Sequence, residues 1–287
     1  MSEPVVYLNG EFMPLSEARI PVLDRGFIFG DGVYEVIPVY ARQAFRIDEH
    51  LDRLNNSLEL TRITNPYPES EWKKLLSQII TRNESDDQSV YVQITRGVAK
   101  RDHPFPKNVA PTVFMMSNPL IVPDQEAFNK GISAITLDDI RWQYCNIKAI
   151  TLLPNILLRQ TAVDEDAQEA ILIRSGEVTE GSATNVFIVI DGQIKTPPKS
   201  SRLLPGITRD LIVELAHQHG LDCMEANFSR TELEAADEVW VSSSMKEVMP
   251  VVMLNHEMVG NGKPGPVTRR MFEIFQEYKT ELKRELN

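Results

Sequence analysis

The chain has 287 residues, enough for two modest domains or one large one. Hydrophobic residues make up 42% of it and charged residues 25%, and its net charge is −11, which is the composition of an ordinary globular protein with an acidic surface. An acidic surface disfavours nucleic acid and anionic membranes as partners, so an anionic ligand would have to be bound by local positive groups.

The two cysteines, Cys145 and Cys223, are too few for a disulfide framework and form no cluster with histidine. We therefore expect no metal site and a reducing, cytoplasmic location. The first residues lack a basic segment followed by an apolar run, so no signal peptide is expected. No apolar run approaches the ~20 residues that span a bilayer, so no membrane span is expected either.

The N-terminal half predicts several strands and two helices. Asn9-Gly10 suits a type I′ turn between strands at 5–8 and 11–13. Further strands are expected at 34–40, 44–47, 90–95 and 112–116, and helices from Asp48, as the N-cap, to about Leu60 and from Glu69 to Arg82. Because strands and helices do not alternate strictly, this order favours an α+β domain.

A stretch with Pro119 and Pro123 and no clear hydrophobic period predicts a linker. We place the N-terminal domain at 1–117, the linker at 118–131 and the C-terminal domain at 132–287. The C-terminal domain is expected to contain strands at 133–137, 169–173 and 185–190, a hairpin turn at Asp191-Gly192, and helices at 150–163, 208–219 and 266–283.

Lys148 and Glu180 are the two residues that indicate a specific chemistry. A lysine amine forms a Schiff base with an aldehyde cofactor, and a carboxylate holds a proton on a pyridine nitrogen; pyridoxal phosphate (PLP) requires both groups. Lys148 lies in a stretch poor in charge, where partial burial would make its amine nucleophilic. The alternative for Lys148 is a solvated loop lysine, and the alternative for Glu180 is an exposed acid at the end of a strand.

Four parts of the chain could bind anions. Gly206, Ile207 and Thr208 begin an amphipathic helix whose first amide groups and dipole would attract a phosphate, although a simple capped helix is the more common meaning of this pattern. The hydroxyls of Ser242, Ser243 and Ser244, at the end of an apolar strand, could also bind a phosphate, and so could Arg53 on the first helix. Arg101 and His103 belong to a basic loop that suits a carboxylate.

Six segments, in order over nearly the whole chain, resemble the D-amino acid aminotransferases among the fold-type-IV PLP enzymes. They are Asp24-Arg25-Gly26-Phe27-Ile28-Phe29-Gly30-Asp31-Gly32-Val33-Tyr34-Glu35-Val36, Glu49-His50-Leu51-Asp52-Arg53-Leu54, Asp139-Ile140-Arg141-Trp142, Ile147-Lys148, Thr179-Glu180-Gly181 and Leu204-Pro205-Gly206-Ile207-Thr208-Arg209. The resemblance implies an α+β, two-domain fold with PLP in the interdomain cleft, and a homodimer that transfers an amino group between a D-amino acid, of D-alanine or D-glutamate type, and a 2-oxo acid.

The resemblance also implies a role for each candidate residue. Lys148 would form the Schiff base and move the proton, and Glu180 would pair with the ring nitrogen. Other residues would contact the ring or the phosphate, namely Arg141, Leu204, Arg53, Ile207, Thr208, Ser243 and Ser244. The substrate would be bound by Tyr34, Arg101, His103 and Ser182, with Arg101 and His103 reaching in from the partner subunit.

Two positions depart from the family pattern. Ser182-Ala183-Thr184 stands where a run of serines is expected, and Ser244 stands where threonine is common. Branched-chain L-aminotransferases, R-selective amine transaminases and aminodeoxychorismate lyase share the scaffold and remain alternatives. A catalytically silent relative is a further alternative, against which the presence of both Lys148 and Glu180 argues.

Overall fold

The computed structural model describes residues 3–285, with side-chain surroundings through residue 282. These residues divide into two compact units. The first unit extends to Ile121 and also contains Ile147–Leu152, and the second comprises Val122–Asn146 and the chain from Leu153 onward. The predicted linker 118–131 holds the end of one strand and a short helix.

The first unit is a six-stranded antiparallel sheet with helices. Its elements are β1 (Val5–Leu8), β2 (Glu11–Pro14), a 3-10 turn (Leu15–Glu17), α1 (Arg25–Phe29), β3 (Gly32–Tyr40), β4 (Gln43–Ala44), α2 (Ile47–Thr61), α3 (Glu69–Arg82), β5 (Gln88–Thr95) and β6 (Thr112–Pro119). The strand order is β2-β1-β6-β5-β3-β4, and each neighbouring pair is antiparallel. This arrangement confirms the α+β prediction for this half.

The core of the first unit forms where α2 and α3 bury their apolar stripes against the sheet. Leu54 and Leu58 of α2 and Trp72 and Ile79 of α3 are almost wholly buried in one cluster with the inward-facing residues of β3, β5 and β6. Spacings of three and four residues place such side chains on one helix face. Each buried side chain of this size contributes about 1.5–3 kcal/mol relative to exposure.

Two local predictions have different outcomes. Asn9 and Gly10 both have positive φ, and they join β1 to β2 as the type I′ turn predicted. The prediction that Asp48 caps the next helix is wrong. Helix α2 begins at Ile47 with Arg46 as its N-cap, two residues before the predicted cap, and Asp48 lies in its first turn, where it forms an ion pair with Lys73.

The second unit contains a nine-stranded mixed sheet together with helices. Its elements are α4 (Gln125–Lys130), β7 (Ile132–Asp138), α5 (Leu153–Asp164), β8 (Glu169–Arg174), β9 (Glu177–Gly181), β10 (Asn185–Ile190), β11 (Gln193–Thr196), α6 (Ile207–Gln218), β12 (Cys223–Glu225), α7 (Arg230–Glu234), β13 (Glu238–Ser243), β14 (Glu247–Leu254), β15 (Glu257–Met258) and α8 (Pro266–Glu285). The sheet order is β12-β11-β10-β13-β14-β7-β8-β9, with β15 paired to β14. Pairs β11–β12, β14–β7 and β7–β8 are parallel.

Helix α5 begins three residues later than the sequence predicts. Residues 150–152 are not helical, because the segment Ile147–Leu152 pairs with β3 of the first unit: the Ile150 amide donates to Gly32 O, and Ala149 forms a bridge with Val33. The sequence interpretation had placed this segment in the C-terminal domain. Within residues 3–285 no helix has the length and apolar character needed to cross a membrane.

Candidate functional site

Lys148 is held in the first unit by its own backbone. Its amide donates to Ser57 Oγ at 3.2 Å, and its carbonyl accepts from the Tyr34 amide at 2.9 Å. The half-buried side chain places Nζ 4.2 Å from the centroid of the Tyr34 ring. An ammonium at this distance is attracted to the ring face. The structure therefore brings together two of the predicted residues, Lys148 and Tyr34.

Arg53 belongs to a buried network that the sequence interpretation did not anticipate. Its Nε and Nη2 donate to the two oxygens of Glu35 at 2.8 and 2.7 Å, and His50 Nδ1 lies 3.0 Å from Glu35 Oε2. Burial would raise the pKa of the Glu35 carboxyl, but the charge and hydrogen bonds of Arg53 and the contact with His50 hold that pKa well below its usual range.

His50 completes this network in the neutral form. Burial, the largest influence, lowers the pKa of the ring; the hydrogen bond to Glu35 and the charge of Glu35 oppose this effect, while the charges of Arg53 and Lys148 add to it. A carboxylate can only accept, so Nδ1 carries the hydrogen of its hydrogen bond to Glu35, and the other ring nitrogen of the neutral ring is an acceptor. His50 Nε2 is buried and has no hydrogen-bond partner among the residues that the structure describes. The network thus orients Arg53 and ends in an unsatisfied acceptor.

Arg25 of α1 forms hydrogen bonds with the backbone of the loop that carries Arg101 and His103. The Arg25 guanidinium donates to the carbonyl oxygens of Asp102 and His103 at 2.6 and 3.4 Å, and to Asp31 at 2.7 Å. The side chains of Arg101 and His103 remain exposed. Both lie near the Phe29 ring, at 5.3 Å for the Arg101 guanidinium and 5.7 Å for the His103 ring. The structure therefore places these two basic residues side by side.

Glu180 lies within β9 in the second unit, where its carboxylate is buried and held by three donors. Arg141 Nη1 donates to Oε1 at 2.5 Å, the Leu204 amide to Oε2 at 3.0 Å, and Asn185 Nδ2 to Oε2 at 3.5 Å. Burial raises the pKa of this carboxyl above its usual value, although Arg141 acts in the opposite direction. A fixed, buried carboxylate of this kind suits an interaction with a proton on a ligand.

Arg141 is in turn oriented by Asp139. Its Nε and Nη2 donate to the two Asp139 oxygens at 2.8 and 2.9 Å, and Arg174 donates to Asp139 Oδ2 at 2.9 Å. Burial opposes the charge on Arg141, but the hydrogen bond to Asp139 and the charge of Glu180 raise its pKa above the usual value. Two carboxylates and two guanidinium groups therefore balance each other in a buried cluster.

The start of α6 approaches this cluster closely. Asn185 Nδ2 also donates to Leu204 O at 2.9 Å, and a Cβ atom on Gly206 would overlap Asn185 Oδ1, so glycine is required here by space. Gly206 is the N-cap of α6 and provides no side-chain cap, and Thr208 lies inside the helix. The first amides of a helix have no acceptor within it, which leaves this end able to bind an anion.

The serine segment lies at the end of β13. Ser243 Oγ accepts from the Lys246 amide at 3.1 Å and so closes a turn, in which Ser244 is half-buried. Ser242 Oγ is buried and has no hydrogen-bond partner within the described part of the chain. A strand end with an unsatisfied hydroxyl, followed by a turn that carries two more hydroxyls, is consistent with the anion-binding prediction.

Ser182 follows Glu180 in the turn after β9. Its amide donates to Ala170 O at 2.9 Å and its hydroxyl to Glu169 Oε1 at 2.5 Å, so both of its donors are used within the protein. Sequence reasoning did not anticipate Glu169. The signal was available, because Glu169 begins a strand of buried apolar residues, as Glu35 lies in another. A lone acid in such a strand needs a specific partner.

A comparison with protein families and curated proteins matches the chain along most of its length. The model of the family described as "Amino-transferase class IV" matches residues 32–254. A D-alanine aminotransferase of Bacillus licheniformis is 40% identical over 271 residues, which covers 94% of this chain and 95% of that protein. A D-alanine aminotransferase of Staphylococcus aureus strain COL is 39% identical over 274 residues, with 95% and 97% covered.

Solved structures of branched-chain amino acid aminotransferases share the fold. The enzyme from Escherichia coli has a TM-score of 0.90 at 29% identity, and the match covers 95% of this chain and 93% of that one. The enzyme from the archaeon Thermoproteus uzoniensis, solved with norvaline, has a TM-score of 0.87 at 25% identity, with 96% and 94% covered.

Proposed function

The chain belongs to the class IV aminotransferases, and from this premise we propose that it transfers an amino group between a D-amino acid and a 2-oxo acid with PLP as its cofactor. The expected substrates are of the D-alanine or D-glutamate type, with pyruvate or 2-oxoglutarate as acceptor. The observation that supports the proposal most directly is the buried Glu180 carboxylate, held by Arg141 and the Leu204 amide, in a chain that also holds Lys148 beside the Tyr34 ring. PLP, when bound, supplies the electron sink for the carbanion left at the substrate Cα.

The residues present fit PLP. A phosphate needs several donors in one place, and the uncapped start of α6, with glycine required at Gly206, offers backbone amides. The hydroxyl of Ser242 is buried without a partner, as expected of a group whose partner belongs to a ligand. We propose that Arg53, Ile207, Thr208, Ser243 and Ser244 hold the phosphate, and that Leu204 and Arg141 contact the ring.

Lys148 and Glu180 have distinct proposed roles. Lys148 Nζ would hold the cofactor through its aldehyde group, and its free amine would accept and return the proton of the substrate Cα. Glu180 would hold a proton on the pyridine nitrogen. Arg141 fixes the position of the Glu180 carboxylate, while Asp139 keeps Arg141 from turning away. A carboxylate that is already oriented and desolvated needs no reorganisation when the ligand charge changes.

The substrate carboxylate is assigned to Tyr34, Arg101 and His103. Arg101 and His103 are exposed in the chain, although Arg25 fixes the backbone beside them. Exposed basic side chains on a fixed loop suit a carboxylate in the site of a partner subunit. We therefore propose a homodimer in which this loop completes the other protomer's site.

Exposed apolar side chains support the dimer. Val22 and Phe27 are each 73% exposed in the first unit, and helix α5 has exposed Leu153, Ile156 and Leu157 at helical spacing. An exposed apolar stripe such as the one on α5 marks an interaction surface. Both cysteines are free and buried, in keeping with the cytoplasmic location that we propose.

Branched-chain L-amino acid transfer is the second candidate, because the solved structures with high TM-scores are named branched-chain aminotransferases. Purified protein loaded with PLP should be mixed with D- and L-amino acids, R-amines and branched-chain L-substrates, and the visible absorbance of the bound cofactor followed in single half-reactions. D-alanine and D-glutamate should react at least about tenfold faster than their L-enantiomers. Faster reaction with L-leucine or L-valine would replace the proposal with the second candidate.

Mixed dimers test the shared site. Lys148→Ala subunits exchanged with Arg101→Ala subunits should form dimers with both lesions in one site and one intact site. We expect up to about half the wild-type activity per mixed dimer. The control is each variant exchanged with itself. No recovery after confirmed exchange would place Arg101 in the site of its own subunit.

A further inference from the structure

Glu169 is a wholly buried carboxylate that binds the turn after β9. Its Oε1 accepts from the Ser182 hydroxyl at 2.5 Å and from the Ser182 amide at 3.2 Å, and its Oε2 accepts from Thr184 Oγ1 at 3.1 Å. The Ala170 amide also donates to Oε1, at 3.0 Å. Three donors from a four-residue turn therefore meet on one side chain of the neighbouring strand.

Two cations complete the surroundings of Glu169. Arg159 Nη1 lies 3.4 Å from Oε1, and Lys246 Nζ lies 3.5 Å from Oε2. Burial lowers the pKa of Lys246, and Glu169 opposes this effect. Lys246 belongs to the turn that Ser243 closes, so one carboxylate contacts both the turn after Glu180 and the turn of the serine segment.

We propose that Glu169 is a positioning residue of the active site, which orients Ser182 and fixes the turn 181–184 relative to the turn 243–246. The inference rests on the proposed function, in which Ser243 and Ser244 hold the phosphate, and on the substrate contact that the family resemblance implies for Ser182. Because both donors of Ser182 are used inside the protein, Ser182 offers a ligand only the lone pairs of its hydroxyl oxygen. Ser182 then acts on the substrate as an acceptor whose direction Glu169 sets.

The structure predicts which property depends on Glu169. Glu180 is anchored by Arg141 and Leu204, independently of Glu169. Loss of the Glu169 carboxylate should therefore leave the affinity for PLP nearly unchanged and impair the reaction with substrate. If Glu169 had a purely structural role, its loss would lower the stability of the fold and would not impair the reaction with substrate more than the affinity for PLP.

Glu238 offers a matched control. It is also a buried carboxylate, and it accepts from the Val267 amide at 3.1 Å, the Thr268 amide at 2.7 Å and the Thr268 hydroxyl at 2.5 Å at the start of α8. Glu238→Gln therefore perturbs a similar set of hydrogen bonds, without the two cations that lie beside Glu169, at a place where no ligand is proposed.

The experiment compares Glu169→Gln, Ser182→Ala, their double variant and Glu238→Gln with wild type. Kinetics of D-alanine with pyruvate are measured at saturating PLP and well below the melting temperature, and the PLP dissociation constant is measured by visible absorbance. Hydrogen–deuterium exchange of the apoprotein reports on the turn 181–184 without any cofactor.

Glu169→Gln should lower kcat/KM about 10- to 100-fold, mainly through KM, and change the PLP dissociation constant by less than about threefold. The double variant should be no worse than the more impaired single variant, since both break the same hydrogen bond. Exchange should rise at 181–184 in apo Glu169→Gln, and Glu238→Gln should raise it only near the start of α8 while keeping the wild-type kcat/KM.

The inference is overturned if Glu169→Gln has wild-type kinetics, if its effect adds fully to that of Ser182→Ala, or if exchange at 181–184 does not change. If Glu169→Gln does not fold, Ser182→Ala decides: a KM within about twofold of wild type overturns the inference. Should the wild type prefer another amino donor, the proposed substrate fails, but the same ratios measured with that donor still test Glu169.

Discussion

Replacing Glu180 by glutamine should separate catalysis from stability. The amide has the shape of the carboxylate but cannot hold the pyridine nitrogen protonated. Arg141 and the Leu204 amide donate to different oxygens of Glu180, at 2.5 and 3.0 Å. A glutamine has one acceptor oxygen for these two positions, so its NH2 group must face one donor.

The magnitude follows from these contacts. A buried donor left without an acceptor costs about 1–3 kcal/mol. Part of that cost is offset, because burial already raises the pKa of Glu180 and the neutral amide no longer has to desolvate a charge. Arg141 keeps both oxygens of Asp139, so it is not left as an unpaired buried cation. We expect a net loss of about 1–2 kcal/mol in the free energy of unfolding, or a melting temperature lower by roughly 2–8 °C.

Such a loss leaves the protein folded at 25 °C, since domains of this kind are stable by about 5–15 kcal/mol. The rate of Cα–H removal from D-alanine should nevertheless fall by about 10² or more. Stopped-flow absorbance of the bound cofactor measures that rate in one turnover. Glu238→Gln is the control, because it should lower the melting temperature and leave the rate unchanged.

Two results would refute the reasoning. A single-turnover rate within about threefold of wild type, with a full complement of PLP, would make Glu180 structural only. A melting temperature more than about 10 °C lower would show that the Glu180 carboxylate contributes more to stability than its hydrogen bonds and its burial allow.

Lys148→Ala should abolish turnover and leave the fold intact, because the hydrogen bonds of this residue to Ser57 and Tyr34 involve only its backbone; retained activity, or a borohydride-reducible link to PLP, would contradict this. Arg101→Ala should raise the KM for D-alanine by about 10-fold or more and leave PLP retention unchanged, and equal losses of both would count against a contact with substrate alone. The lowered pKa of Glu35 stabilises the fold above pH 4.5, its unfolded value, and that stability is lost as the pH falls below it, by at most about 1.4 kcal/mol per pH unit. Urea unfolding should be measured at pH 7 and below pH 4.5. The loss of unfolding free energy between the two pH values should be smaller in Glu35→Gln than in wild type, and equal losses would contradict the assignment of the lowered pKa to Glu35.

The local hydrophobic pattern and the turn residues of the sequence predicted most of the helices and strands. Helix α3 begins and ends where its apolar spacing places it, and β10 spans the run of Val, Phe and Ile at Asn185–Ile190. The N-terminal limit of α2 was missed, because Asp48 has the right type for a cap while the chain starts the helix at Ile47 with Arg46 in a left-handed conformation. A cap preference of about 1 kcal/mol is easily overridden by tertiary packing.

The candidate site also contains residues that the sequence predicted and residues that it did not. Lys148, Glu180 and Arg141 were identified from residue type and from their place in motifs. Their supporting residues were not, since Asp139 and Asn185 are ordinary polar residues until the chain brings them to Arg141 and Glu180. No sequence period links residues that meet across a fold.

The sequence by itself determined the residue types that the chemistry needs, the α+β class and the family, because these depend on composition, local periodicity and ordered motifs. Only the tertiary structure decided where Lys148 belongs. Residues on both sides of Ile147–Leu152 pack in the second unit, yet this segment pairs with β3 of the first unit through the backbone of Gly32 and Tyr34. Backbone pairing uses amide and carbonyl groups that every residue other than proline has, so the side chains of this segment could not predict its partner strand.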